Sequence, residues 1–233
     1  MSKHSISRIN KIIELMGYKC YLEVGVSKGN TFMSVRADEK TAVDPNFRFN
    51  PVEPPYCDAG IYYQETSDVF FTRRVNKKYD LIFLDGLHTY SQTLRDFCNA
   101  IEVLNPKGVI IIDDTYPADI YSAYPNPHVA RMVRRIDKNQ PDLKAGWHGD
   151  VYKVVFTIAE FFPMWSYATI KSGGNPQTFL WRKPRPVKAF KESIESISRL
   201  DYYSFLENIE YMNISDGYNE ILSTIKNDLS VEA

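Results

Sequence analysis

Apolar residues recur at three- and four-residue steps from Ile6 through Ile9, Ile12 and Ile13 to Met16, and the series stops at Gly17. That spacing predicts a short amphipathic helix closed by a glycine C-cap. Short apolar runs follow at residues 20–24, 41–43, 61–64, 79–84 and 109–112, most of them ending on a glycine or an acid. Runs of this kind predict parallel strands buried on both faces. Between the last two, Leu94, Phe97, Ile101 and Leu104 mark one face of a helix, and Asn105-Pro106-Lys107-Gly108 supplies a stop. Strands that alternate with helices imply a parallel sheet with right-handed crossovers.

The pattern changes after residue 115. Residues 116–127 are rich in Tyr and Pro and read as a loop over the site, followed by a helix over about 128–138. The β-branched and aromatic run 152–158 predicts a strand, paired antiparallel with 177–181 across the Ser172-Gly173-Gly174-Asn175-Pro176 turn. Beyond Pro184 and Pro186, Val187, Phe190, Ile194, Ile197 and Leu200 step as a helix, and Ile221, Leu222, Ile225 and Leu229 as another. The expected architecture is α/β: a doubly wound, mainly parallel sheet with an antiparallel edge pair over residues 1–183. A helical C-terminal extension, 184–233, packs on that domain or at the interface of a homodimer.

Composition narrows the function. Of 233 residues, 28 are Lys or Arg and 29 Asp or Glu, a net charge of -1, so the basic excess of a nucleic-acid binder is missing. No apolar run approaches the roughly 20 residues that cross a bilayer, and the N-terminus lacks a signal-type segment, so a cytoplasmic protein without a membrane partner is expected. Cys20, Cys57 and Cys98 show no Cys-x-x-Cys spacing, which argues against a disulfide framework or a thiolate zinc site and for a reducing compartment.

Two motifs carry candidate chemistry. In the first, Gly25 and Gly29 follow a strand and precede a helix, a turn at which backbone can approach a ligand closely. Position 27 is Ser, so the Gly-x-Gly-x-x-Gly seat for a pyrophosphate is incomplete. Glu23 stands at the strand end, and Asp44, about 20 residues further on, is placed to accept from ribose hydroxyls. Two acids without a phosphate seat point to a nucleoside carrying a cationic substituent. The pattern Glu23-x-Gly25-x-x-x-Gly29, with Asp44 ending the second strand, resembles class I S-adenosylmethionine (SAM)-dependent methyltransferases, which are Rossmann-like. The resemblance implies that Gly25, Ser27 and Gly29 sit against the methionine part of the cofactor and that Asp44 binds its ribose. It also implies that the stretch containing Ser67 borders adenine; spacing alone makes Ser67 the N-cap of a helix.

In the second motif, Asp85 ends one strand and Asp113-Asp114 the next, so three carboxylates meet at one sheet edge. Their repulsion is relieved by a cation, and an all-oxygen set selects a hard one, Mg²⁺ first, with Ca²⁺ or Mn²⁺ as alternatives. His88, three residues after Asp85, is a candidate general base. His148, in Gly146-Trp147-His148-Gly149-Asp150, is a weaker candidate of the same kind.

The segments 79–90 and 104–115 resemble the metal-dependent small-molecule O-methyltransferase branch, including macrolide-sugar enzymes of the macrocin and mycinamicin type. That likeness implies metal ligation by Asp85, Asp113 and Asp114 and general-base catalysis by His88, with Asp85 also at the cofactor. A small-molecule hydroxyl, first that of a sugar or polysaccharide precursor, is the expected acceptor, with Tyr116, Tyr121 and Tyr124 as a wall beside it. The competing readings are a nucleotide-dependent oxidoreductase, which needs the missing third glycine, and a binding module without turnover.

Overall fold

The computed structural model describes residues 3–73, 76–137, 146–186 and 192–230. Helix α1 (Lys3–Met16) leads into β1 (Cys20–Val24), α2 (Asn30–Ser34), β2 (Glu39–Val43), β3 (Ile61–Tyr63), α3 (Ser67–Thr72), β4 (Tyr79–Leu84), α4 (Tyr90–Val103) and β5 (Leu104–Asp113). Then come α5 (Pro127–Ile136), α6 (Tyr152–Phe161), β6 (Trp165–Ile170), β7 (Gln177–Arg182), α7 (Ile194–Ser198), α8 (Tyr202–Glu207), a 3-10 turn (Ile209–Met212) and α9 (Tyr218–Ser230). The seven strands form one sheet in the order β3-β2-β1-β4-β5-β7-β6. All neighbours are parallel except β7, which runs antiparallel to both β5 and β6. Strand order reverses between β1 and β4, and open α/β sheets bind ligands at the carboxyl ends of strands flanking such a reversal.

The strands are apolar on both faces and sort by parity. Leu22, Ile82, Leu84, Ile110 and Ile112 face the layer built by α4, α6 and the short helices of the tail, with Phe97, Phe156, Ile197, Phe205 and Met212. Tyr21, Leu81, Phe83, Val109 and Ile111 face the layer of α1, α2 and α9, with Ile9, Ile12, Phe32, Ile221 and Ile225. The described part of the C-terminal segment thus contributes side chains to both layers of the core.

Four expectations are corrected. Residues 152–158 form not a strand but the first part of α6, in which every residue from Tyr152 to Ala159 is buried. A helix covered on all sides has no polar face, so its apolar run carries no 3.6-residue period and reads as a buried strand. The partner of β7 is instead β6, and the Ser172–Pro176 turn joins those two. Residues 105–108 lie within β5, where the pairing with β4 shifts register between Tyr79 and Leu81. The helix expected across 187–200 lies partly outside the described residues; within them it begins at Ile194, capped by Ser193 Oγ accepting from Ser196 N, and a new helix starts at the Asp201 cap.

One buried cation ties α1 to the sheet beside the site. Arg8, 4% exposed, donates to the carbonyls of Ser172, Gly173 and Asn175 at 2.7, 3.0 and 2.7 Å and to Gln177 Oε1 at 2.9 Å. Arg8→Ala leaves these acceptors without a donor and is expected to lower stability by about 3 kcal/mol in urea unfolding. A loss below about 1 kcal/mol would mean that water replaces the guanidinium there.

Candidate active site

The end of β1 and the exit of β4 touch backbone to backbone. Gly25 has φ +91°, and a Cβ there would lie 1.9 Å from the Asp85 carbonyl oxygen, so no side chain fits. Asp85 N donates to Val24 O at 2.8 Å across the same junction. The turn that follows is held by Asp44, whose Oδ2 accepts from Ser27 N and Oδ1 from Asn46 N, both at 2.7 Å. A carboxylate has more lone-pair sites than these two bonds use, and Asp44 lines a cavity of about 620 Å³ together with Gly25, Ser27, Ser67, Asp85, His88 and Asp114.

Of the candidates for the cofactor side, Gly29 and Glu23 stand outside this lining. Gly29 caps α2 beneath the Phe49 ring. Glu23 follows the parity of Tyr21 and is fully buried. Its Oε2 accepts from the Tyr21 hydroxyl at 2.7 Å, Oε1 has no partner, and burial pushes the carboxyl well above its usual range.

The third flank was only partly expected. Thr66, not Ser67, caps α3, its Oγ1 accepting from Val69 N at 3.3 Å, which frees the Ser67 hydroxyl to face the cavity. Gln92 Nε2 donates to Ser67 Oγ, Asp68 Oδ1 and Asp96 Oδ1 at 3.3, 3.1 and 3.0 Å. Gln92 and Asp96 lie one turn apart on α4 and also line the cavity; the visible signal was a pair of polar residues at i,i+4 on a helix otherwise read for its apolar face.

At the ends of β4 and β5 the structure brings together Asp85, His88 and Asp114, whose donor atoms lie within 4.8 Å of one another. His88 Nε2 is 3.2 Å from Asp85 Oδ1, and His88 Nδ1 is 3.1 Å from Asp114 Oδ2. Asp113 is not brought into this trio. It keeps the parity of Val109 and Ile111, and its carboxylate accepts from Gln177 Nε2 at 3.0 Å and Asn175 Nδ2 at 3.2 Å. Asp114, one residue on, falls on the opposite parity and, with φ +58°, lines the cavity. Burial pushes Asp85 and Asp114 well above the usual carboxylate range, and the negative charge of Asp113 adds to both shifts.

Residues 146–150 close the site from above α4. Trp147 stacks on the His88 ring, with centroids 5.2 Å apart and planes at 17°, and its Nε1 donates to Tyr124 O. Gly149, φ +67°, presses on the His88 carbonyl so closely that a Cβ would sit 1.7 Å from its oxygen. Asp150 Oδ1 accepts from Tyr90 N at 2.7 Å and so caps α4 from another segment. His148 Nδ1 meets Tyr116 O at 3.1 Å, and its Nε2 lies 3.5 Å from Asp114 Oδ1. Burial and the neighbouring His88 lower the His148 pKa to about 4. The expected tyrosine wall is not built: Tyr116 packs edge-on to Phe205, Tyr121 is bonded to Asp137, and none of the three lines the cavity.

A carboxyl whose folded-state pKa is raised favours folding below its unfolded pKa and loses that contribution as pH climbs through the folded value. Glu23→Gln keeps the Tyr21 bond and removes the charge, so the variant's Tm should exceed wild type's by more at about pH 8 than at about pH 5. An unchanged difference would mean that Glu23 carries no such shift.

Comparisons with known proteins bear on the fold. Residues 22–115 match the family model described as "Methyltransferase domain". A search of curated proteins finds no match. Among solved structures, the chain is similar to an O-methyltransferase from Bacillus cereus in complex with SAH, at 12% identity and TM-score 0.56, covering 78% of this chain and 82% of that one. It is also similar to the SAH-bound methyltransferase of Podospora anserina (13%, TM-score 0.54, 78% and 80% covered). The SAM-bound O-methyltransferase of tomaymycin synthesis from Streptomyces achromogenes is a third such structure (14%, TM-score 0.51, 78% and 81% covered). At these identities the likeness establishes the fold: a Rossmann-like methyltransferase sheet, with the cavity at its β1–β4 reversal.

Proposed function

We propose that this protein is a SAM-dependent O-methyltransferase acting on a hydroxyl of a small molecule, with a divalent cation and His88 at the acceptor side. The observation that carries the reading is a single cavity in which the Gly25–Ser27 turn and Asp44 lie on the same walls as Asp85, His88 and Asp114. Asp44, buried and already ordered by two backbone N–H groups, offers its remaining lone pairs to ribose hydroxyls. Ser67, Gln92 and Asp96 supply polar partners for a base edge. Three structures of this fold, two bound to SAH and one to SAM, support the choice of nucleoside.

The acceptor side must align an oxygen and remove its proton. His88 is held in place by Asp85 at Nε2, by Trp147 on its ring face and by Gly149 at its carbonyl. When Nε2–H donates to Asp85, Nδ1 carries the lone pair and is the atom that receives the proton. The residues fit a cation as well: Asp114 Oδ1 and His88 Nδ1 are buried without a hydrogen-bond partner, and the carboxylates of Asp85 and Asp114 would hold the ion, with Asp113 charged behind them. Bound there, a cation lowers the pKa of an acceptor hydroxyl and orients it. SAM bound in the cavity would supply the methyl group, the acceptor oxygen gaining the O–CH₃ bond as the S–CH₃ bond breaks to leave SAH, with the acceptor's proton held at His88 Nδ1, and proximity would supply much of the acceleration. A sugar or polysaccharide-precursor hydroxyl is the acceptor class we favour, on the likeness of segments 79–90 and 104–115 to sugar enzymes. Cys20, Cys57 and Cys98 are all free thiols, which suits a cytoplasmic setting; no described helix is long and apolar enough to cross a membrane.

Calorimetric titration with SAH should show one site per chain, weakened about tenfold or more in Asp44→Ala by loss of charged hydrogen bonds. An absence of SAH binding by wild type would overturn the proposal. With transfer of labelled methyl followed over a panel of sugars and phenols, His88→Ala should lower kcat by about 10²–10⁴-fold and leave SAH affinity within about threefold. Chelation that leaves the wild-type rate unchanged would remove the cation from the mechanism.

A further inference from the structure

His148, in the Gly146–Asp150 motif, has no part in the proposed reaction. It is 7% exposed, and its Nδ1 lies 3.1 Å from the carbonyl of Tyr116. A carbonyl only accepts, so Nδ1 carries the proton and Nε2 is left with a lone pair. That lone pair faces Asp114 Oδ1 at 3.5 Å, and the oxygen has no hydrogen-bond partner. The other oxygen of Asp114 faces His88 Nδ1 at 3.1 Å, again without a hydrogen bond. A buried carboxylate with a ring nitrogen before each oxygen, one oxygen without any hydrogen-bond partner, is an arrangement of electron pairs that lacks its positive charge.

We propose that His148 Nε2 is a nitrogen ligand to the cation at Asp114, so that the site prefers a borderline first-row ion such as Mn²⁺ or Co²⁺ to Mg²⁺. This rests on the cation reading given above and changes its donor set from oxygen alone to mixed oxygen and nitrogen. A spacing of 3.5 Å suits two donors on one ion, since bonds of about 2.0–2.2 Å place neighbouring ligand atoms roughly 3–3.5 Å apart. The Tyr116 carbonyl is the outer partner that metal-bound imidazoles use to fix tautomer and ring orientation. His148 N and Gly149 N both donate to Ser122 O, at 3.0 and 2.9 Å, so the backbone that aims the ring is itself anchored. Imidazole nitrogen raises affinity along the first-row series, whereas carboxylate and water favour Mg²⁺ or Ca²⁺.

The test is calorimetric titration of the full chain with CoCl₂ and, separately, MgCl₂, each with SAH present. Wild type should bind Co²⁺ about 100-fold or more tightly than Mg²⁺, and His148→Gln should cut the Co²⁺ affinity at least about tenfold while moving Mg²⁺ by less than about threefold. Pulsed electron paramagnetic resonance of the Mn²⁺-loaded protein should show a nitrogen coupling in wild type that is lost in His148→Gln and kept in His88→Ala, since His88 lies in the same cluster. Unchanged selectivity in His148→Gln, or a Mn²⁺ signal without nitrogen coupling, would overturn the inference and leave a carboxylate-held cation and methyl transfer intact. Wild type that binds SAH but no cation would overturn the inference and the cation together, with a proton shared between Asp114 and His148 in its place. Loss of SAH binding with cation selectivity retained would instead count against the methyltransferase reading and for the metal site.

Discussion

The loop that leaves β4 is gripped between two glycines. On one side Gly25 lies where a Cβ would come within 1.9 Å of the Asp85 carbonyl; on the other, Gly149 lies where one would come within 1.7 Å of the His88 carbonyl. Both have positive φ, which L side chains adopt rarely. Every proposed chemical role depends on this grip. It fixes the backbone of Asp85 and His88 three residues apart, it presses the β1 turn onto the carboxylate end of β4, and it brings the Trp147–Asp150 segment against the same loop. Asp150, capping α4 at Tyr90, closes the arrangement from below by satisfying an N–H that the loop's own Thr89 leaves without a side-chain partner.

Within that frame the electrostatics are deliberately unfinished. Burial raises the affinity of Asp85 and Asp114 for a proton, and buried polar groups ordinarily find partners. Arg8 shows how the same fold satisfies its acceptors when the need is structural: one guanidinium meets four of them, and it sits on the Asp113 side of the sheet. Asp114 receives nothing comparable although it is the next residue. Two adjacent acids at one strand end thus divide, one into a hydrogen-bonded scaffold and one into a site that asks for a ligand.

That division explains what the sequence could and could not disclose. The strand runs, their order of burial and the acid at each strand end were legible, because a strand buried on both faces leaves a short apolar run and an open sheet places its ligands beyond the carboxyl ends. Which of Asp113 and Asp114 enters the cavity was not, since alternation separates the two but an apolar run does not say on which face the cavity opens. Helix α6 reads as a strand in sequence because complete burial erases its period, and strand β6, Trp165–Ile170, has no counterpart among the sequence expectations. Glu23 was assigned to the cofactor from its place at the strand end, yet strand parity sends it to the α1 side with Tyr21. Gln92 and Asp96 were passed over because α4 was read for its apolar stripe alone.

The loop after β5 joins the chemistry to the outer wall of the site. Asp119 accepts from Ser122 N and from Arg134 of α5, and Ser122, fully buried, offers its carbonyl to both His148 N and Gly149 N. The Tyr116 carbonyl from the same loop meets His148 Nδ1. In α/β enzymes the loops at this edge are where substrates are told apart, while the strands below stay fixed. Here that loop also carries the His148 ring and, through Gly149, bears on His88. On the proposed reading, a change in this loop would therefore move the ring nitrogen facing Asp114, through the Tyr116 and Ser122 carbonyls that hold His148 and Gly149.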